Sequence, residues 1–344
     1  MKQSTLVATA SWRNLAWALA LCASCSSDPA PDDAMTSEDS TAGGDGSGTA
    51  ADTSPTDGSG GDAGCDGPAT APAPVSNDPR PSSCTGSTTW ITAVQGKVTA
   101  PDGTPMGCVK AQMCLHTGKP DFQFACLRPV DTAQDGSFTI DVPDGNRCIA
   151  SASLHIFAPQ QPYSASFCPL QLGSRDGHRT ISEPFQLFPV SGASSLPPLG
   201  DEEAAREVEF EGGLRVTVTP GRMESGDDTY PALAASAVDP TSAGLCFFTP
   251  DVAPTLLYAF APEVLVQQPS FDFSVPNTTG AAAGATFGVY ILGGLDTTLA
   301  SGDKLPESTW GRAGTATVSA DGTTITGTGA NGLPYLSWFG LVAE

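Results

Sequence analysis

"VQGKVTAPDGTPMGCVKAQMCL" (Val94 to Leu115) and "TAQDGSFTIDVPDGNRCIASA" (Thr132 to Ala152) carry the pattern that decides the fold. Val94, Gly96 and Val98 alternate with polar neighbours, and Phe138, Ile140 and Val142 alternate with Ser137, Thr139 and Asp141. Successive side chains of a strand point to opposite faces, so an apolar period of two marks strands with one buried face. Between them stand Pro101-Asp-Gly103, Gln134-Asp-Gly136 and Pro143-Asp-Gly145. Asp-Gly tolerates the positive φ that tight turns need.

Working outward, the same signals predict strands at Ile91–Ala100, Cys108–His116, Phe122–Val130, Ser137–Val142, Cys148–Ile156 and Tyr163–Leu170. In the C-terminal half, clean alternation recurs at Leu214–Pro220, Phe271–Pro276 and Thr315–Gly322. Helical periodicity is confined to one short candidate, Leu199–Glu207. Short strands punctuated by turns argue for sandwiches or barrels. The expectation is an all-β chain with two β-sandwich domains, residues 84–195 and 205–344.

The quoted stretches resemble the carboxypeptidase regulatory-like family, a transthyretin-like β-sandwich. The shared features are a Val-x-Gly-x-Val strand, an Asp-containing turn, and an Asp-Gly-x-Phe strand leading to a Pro-x-Gly turn, over roughly Val94 to Ile156. The chain departs from that pattern in its cysteines and in a longer insert at 117–129. Such modules are typically non-catalytic additions to surface proteins and enzymes, so the resemblance implies architecture and no reaction. "FDFSVPNTTGAAAGATFGVYIL" and "GTATVSADGTTITGTGANGLPYLSWFG" are similar to C-terminal β modules of bacterial surface proteins. They also distantly resemble the β-sandwich segments of ankyrins and netrin receptors.

At the N-terminus, Lys2 and Arg13 precede the apolar run Leu15–Leu21, which is too short to span a bilayer and reads as an export signal. Cys22-Ala23-Ser24-Cys25 resembles the lipobox of bacterial lipoproteins, with small residues before Cys25, although Cys22 stands where Leu is usual. Bulky Leu21 makes Cys22 the poorer acceptor. The resemblance implies a signal peptide over 1–24, lipidation at Cys25, and a membrane as partner through the N-terminal lipid. Acyl chains hold because each buried CH₂ is worth about 0.8 kcal/mol. Residues 25–83 are rich in Gly, Ser and Asp; between Ser26 and Arg80, eleven acids face one base. Too little apolar surface is present to offset ordering entropy, so a disordered acidic tether is expected.

The net charge of −22 excludes nucleic acid as a partner, since phosphate binding needs clustered Lys and Arg. Beyond the signal stand Cys65, Cys84, Cys108, Cys114, Cys126, Cys148, Cys168 and Cys246. An even count in an exported chain reads as disulfides. Strand parity sets Cys108 and Cys114 beside Lys110, Gln112 and His116, opposite Val109, Ala111, Met113 and Leu115, a position suited to stapling an overlying loop. We expect Cys84, Cys108, Cys114, Cys126, Cys148 and Cys168 to pair among themselves, leaving Cys65 and Cys246 to bond each other or stay free.

No Cys-x-x-Cys pair occurs past the signal and the three histidines are scattered, so neither a metal nor a cofactor is expected. Gly44-Asp-Gly-Ser-Gly48 lies in the tether, away from the strand-turn-helix context a nucleophile elbow needs. Asp227, Asp228 and Asp239 read as turn residues before they read as calcium ligands. Asn277-Thr-Thr fits a glycosylation acceptor but reads as a turn in a bacterial lipoprotein. No catalytic residue stands out. The expected function is a non-catalytic structural or adhesion-type module, lipid-anchored in the bacterial cell envelope and facing periplasm or outer surface. Its partner would be an unidentified surface protein or glycan. The alternative is carbohydrate binding through exposed Trp310 and Trp338; a hydrolase using unpaired carboxylates is a third class.

Overall fold

A computed structural model describes residues 79–117, 124–159, 161–173, 176–224, 229–248 and 252–344. The signal, Cys25, Cys65 and nearly all of the acidic stretch lie outside the described residues. Arg80, the one base of that stretch, is engaged: its guanidinium donates to the carbonyls of Cys84 and Thr88 and pairs with Asp176 at 3.2 Å.

The fold is all-β, in two sheets. The first comprises β1 (Thr89–Thr99), β2 (Lys110–Thr117), β3 (Ala125–Cys126), β4 (Val130–Asp131), β5 (Ser137–Asp141), β6 (Cys148–Phe157), β7 (Ser166–Pro169), β8 (Gly177–Thr180) and β9 (Phe185–Gln186). Their order is β3-β2-β6-β1-β5, with β4 on β2, β7 on β6, and β8 and β9 on β1. β1 is shared along its length. Thr89 and Trp90 pair with β6, Ala93–Lys97 pair antiparallel with β5, and β8 and β9 join in parallel. The alternating residues Val94, Val98, Phe138, Ile140 and Val142 all lie in one core with Met113, Leu115, Leu154 and Ile156. Gly96 faces Phe138 across the β1–β5 pair; a Cβ there would lie 2.7 Å from the Phe138 ring, so the glycine makes room for the aromatic.

The second sheet comprises β10 (Arg206–Glu209), β11 (Arg215–Val218), β12 (Met223–Glu224), β13 (Ala234–Val238), β14 (Leu256–Val266), β15 (Phe273–Pro276), β16 (Thr286–Leu292), β17 (Trp310–Val318), β18 (Thr324–Gly327) and β19 (Tyr335–Ala343). The order is β10-β11-β15-β18-β17-β16-β19-β14-β12, with β13 also on β14. β10 and β14 are seven strands apart, about 34 Å across a flat sheet at ~4.8 Å per strand. Yet Phe210, beside β10, meets Phe260 of β14 at a ring separation of 5.6 Å. The sheet is therefore rolled over its own core, in which Val216, Phe273, Val289, Ile325 and Phe339 are buried.

Two expectations are corrected. The helix predicted at Leu199–Glu207 does not form: a turn covers 201–204, and Arg206–Glu209 is strand. Val208 is fully buried, and the β10–β11 ladder sets Glu207 and Glu209 within 4 Å of Arg215; tertiary pairing outweighs local helix propensity.

The second correction concerns the cysteines. Cys84–Cys148 and Cys114–Cys126 bridge within the first sheet, and Cys108 is also disulfide-bonded. Cys168, however, pairs with Cys246, so the bridges are not confined to 84–168. The reason is a third apolar cluster joining the sheets: Phe167, Phe188 and Val190 pack with Phe247, Leu257, Leu292 and Trp338. Phe167 and Phe247 bring their neighbours Cys168 and Cys246 to a Cα separation of 5.3 Å.

Candidate functional site

Trp310 and Trp338 do not form an exposed stacking plane. Trp338 is 1% exposed, stands edge-on to Phe188, and donates its indole N–H to the Ala165 carbonyl at 2.6 Å. Trp310 is half-buried against Phe247, Phe248 and Tyr290. Both indoles rest on Phe247, so the expected platform is instead part of the seam between the sheets. Aromatics bury more surface than any other side chain, and sandwich interiors claim them.

The other expected site residues are the cysteines. Cys84 and Cys148 pack with Trp90 in a small cluster of their own. Cys114 faces Cys126 across the β2–β3 pair, so the bridge joins neighbouring strands, and Cys108 stands before β2 at positive φ, where strand parity does not apply. Cys25 lies outside the described residues.

The turn aspartates are occupied by their own loops. Asp239 accepts from the Thr241 N–H and hydroxyl at 2.8 and 2.7 Å. Asp321, between β17 and β18, accepts from the Ser319 hydroxyl and from Thr323, and these bonds hold its carboxyl down at about 2. Asp227 and Asp228 are outside the described residues. Asn277 donates its amide to the carbonyls of Ala281 and Gly322, so it organises the turn. Among the described residues no group of three His, Cys, Asp or Glu side chains is placed to hold a metal ion. No helix among them is long and apolar enough to cross a membrane.

A different set of residues converges at the seam. His155, on β6, lies between Phe157 and Phe167 with ring separations of 4.5 and 4.0 Å, the latter nearly parallel. Its Nε2 is 2.7 Å from Glu263 Oε2 on β14 of the other sheet. The β14–β19 register shifts between Ala259 and Val264, so Glu263 sits within a bulge. Bulges re-aim side chains, and proline is tolerated in them because no ladder N–H is lost; Pro262 precedes Glu263 here. Glu263 Oε1 accepts from the Tyr335 hydroxyl at 2.7 Å and the Ser337 hydroxyl at 3.4 Å, both on β19.

The electrostatics follow from that enclosure. Burial pushes the Glu263 carboxyl up, but the His155 charge and the hydrogen bonds from His155, Tyr335 and Ser337 outweigh it, and the net direction is below the usual range. Tyr335 moves well above its ordinary value, through burial first and then the Glu263 charge it donates to. An ionised carboxylate only accepts, so His155 Nε2 carries a proton. The other ring nitrogen, Nδ1, is buried with no hydrogen-bond partner. A Ser-His-acid triad places its nucleophile on that second nitrogen. Here the acid and base are present and that position carries no hydroxyl.

The His155–Glu263 pair lines a cleft of about 500 Å³. Phe157, Pro162 and Tyr163 line it from the first sheet's side, Ala232, Ala234 and Pro262 from the second's. A further seam contact, His116 Nε2 to Glu307 Oε1 at 3.2 Å, repeats the histidine–glutamate pairing in a more exposed position. Neither pair was singled out in the sequence. The signal available was a lone ionisable residue inside an apolar strand run: His155 in "SLHIF" and Glu263 in "AFAPEVLV".

Compared with known proteins, the chain matches no family model and no curated protein.

Proposed function

We propose that this chain is a lipid-anchored, extracytoplasmic binding protein of the bacterial envelope: a non-catalytic β head, cross-linked internally, carried on an acidic tether attached at Cys25. One observation carries the reading. Every cysteine among the described residues is disulfide-bonded: Cys84, Cys108, Cys114, Cys126, Cys148, Cys168 and Cys246. Disulfides form and persist in oxidising compartments outside the cytosol, which agrees with the export signal and lipobox pattern of residues 1–25. The surface-module resemblance supports an interaction role over chemistry, and burial of Trp338 weighs against the carbohydrate alternative. The tether, some 55 residues long, would reach about 40 Å as a Gly-rich coil, further if its like charges repel.

The test is metabolic labelling with palmitate in a bacterial host. Label should enter the wild type and the Cys22→Ala variant and be absent from Cys25→Ala, which should also leave the membrane fraction. Label persisting in Cys25→Ala overturns the anchor assignment.

A further inference from the structure

Seven cysteines among the described residues are disulfide-bonded, and seven is an odd number. Cys84 pairs with Cys148, Cys114 with Cys126 and Cys168 with Cys246. A sulfur makes one disulfide, so these bridges leave Cys108, itself bonded, with a mate outside the described residues. The rest of the chain offers three: Cys22, Cys25 and Cys65. Under the export reading above, Cys22 is removed with the signal and the Cys25 sulfur is occupied by lipid. Only Cys65 then remains, an elimination that rests on that reading. Geometry permits the pair. Cys108 stands half-buried, two residues before β2. Lys110 of β2 lies opposite Phe157, the last residue of β6, whereas Cys148 opens β6 at the other end. The nine residue steps of β6 therefore set Cys108 about 30 Å from the Cys84–Cys148 bridge, at ~3.3 Å per residue. Arg80 is fixed beside that bridge by its bonds to the carbonyls of Cys84 and Thr88. From Cys65 to Arg80 there are fifteen residue steps, which reach about 50 Å when extended, more than the sheet requires.

We infer that Cys65 and Cys108 are joined by a fourth disulfide, which fastens the tether to the β head at the start of β2 as well as through the chain at Arg80. Forming it links the two sulfurs, releases both thiol protons and passes two electrons to the disulfide of a thiol–disulfide oxidoreductase, which becomes a dithiol. The free leash then runs only from Ser26 to Gly64 and spans about 34 Å as a Gly-rich coil. A single backbone cut between Asp66 and Pro79 leaves the head attached to its anchor through sulfur.

The experiment is mass mapping of the full chain from a bacterial envelope, denatured without reductant, alkylated at free thiols and cleaved before aspartate. Cys65 then lies in the peptide Asp62–Cys65, Cys108 and Cys114 in Asp102–Pro120, and Cys126 in Asp121–Val130. These three peptides should form one cross-linked species, separate from the one that holds Cys84, Cys148, Cys168 and Cys246. Cys65→Ser should expose a single alkylatable thiol, at Cys108, with the three other bridges intact. Alkylated Cys65 or Cys108 in the wild type, no new thiol in Cys65→Ser, or Asp62–Cys65 found on any other peptide or on a second copy each overturns the pairing. Palmitate labelling of the same preparation separates this from the anchor. Label at Cys25 with Cys65 alkylated overturns the pairing alone; Cys65 on Cys108 without label overturns the anchor alone. Cys25 joined to Cys108 overturns both.

Discussion

Glu263 is the residue at which the two sheets exchange charge. Its carboxyl titrates below the usual range when folded, so the sign of its linkage is fixed. Its stabilising contribution is fully present above the unfolded value of 4.5 and is lost as pH falls through the lower folded value. Glu263→Gln keeps the shape but replaces charge-assisted bonds with neutral ones, at an expected cost of about 2 kcal/mol at pH 7. Urea unfolding at pH 7 and pH 3 checks this: the gap between wild type and variant should narrow at pH 3. A gap of equal size at both values would show that ionisation of Glu263 contributes nothing. None of this was legible in the sequence. A lone glutamate after a proline reads as a strand interruption, and only the bulge in β14 turns it toward His155.

At the scale of elements, what could be read was what depends on neighbours in sequence. Alternation at Phe138 and Ile140 became β5, with Val142 just beyond it in the same core, and two of the Asp-Gly turns place Gly103 and Gly136 at positive φ, while Asp144–Asn146 forms a 3-10 turn instead. What failed depended on partners far away. Leu199–Glu207 has helical composition, yet the ladder with β11 claims its end. "YLSWFG" alternates in no way that separates face from face, because β19 is buried along nearly its whole length between β14 and β16. Trp338 on that strand therefore went to the seam. Trp338→Ala should cost about 3–5 kcal/mol, lowering the melting temperature by roughly 10 °C. Since the ring touches Phe188 of the first half and Phe247 of the second, the loss should appear as one shifted transition. A drop confined to an early, partial transition would mean that the two halves melt independently.

For the whole molecule the decisive link is Cys168–Cys246, which ties the halves across 78 residues of chain. A loop of that length is worth about 4 kcal/mol in unfolded-state entropy, comparable to the loss of a large buried aromatic. The Cys168→Ser, Cys246→Ser double variant should unfold about 4 kcal/mol more easily in urea, and peptide mapping of the non-reduced wild type should return those two cysteines in one cross-linked species. A change below about 1 kcal/mol would assign the union of the sheets to the aromatic cluster alone. Sequence spacing could not reveal the pair: eight cysteines allow 105 pairings, and Cys246 stands alone in its half of the chain.

That same bridge sets an order on assembly. A ribosome delivers Cys168 well before Cys246, and every product interrupted between them carries a thiol whose mate has not been made. Such a fragment holds both halves of the Cys84–Cys148 and Cys114–Cys126 bridges, but lacks the partner of Cys168 and the Phe247 and Trp338 side chains that pack with Phe167.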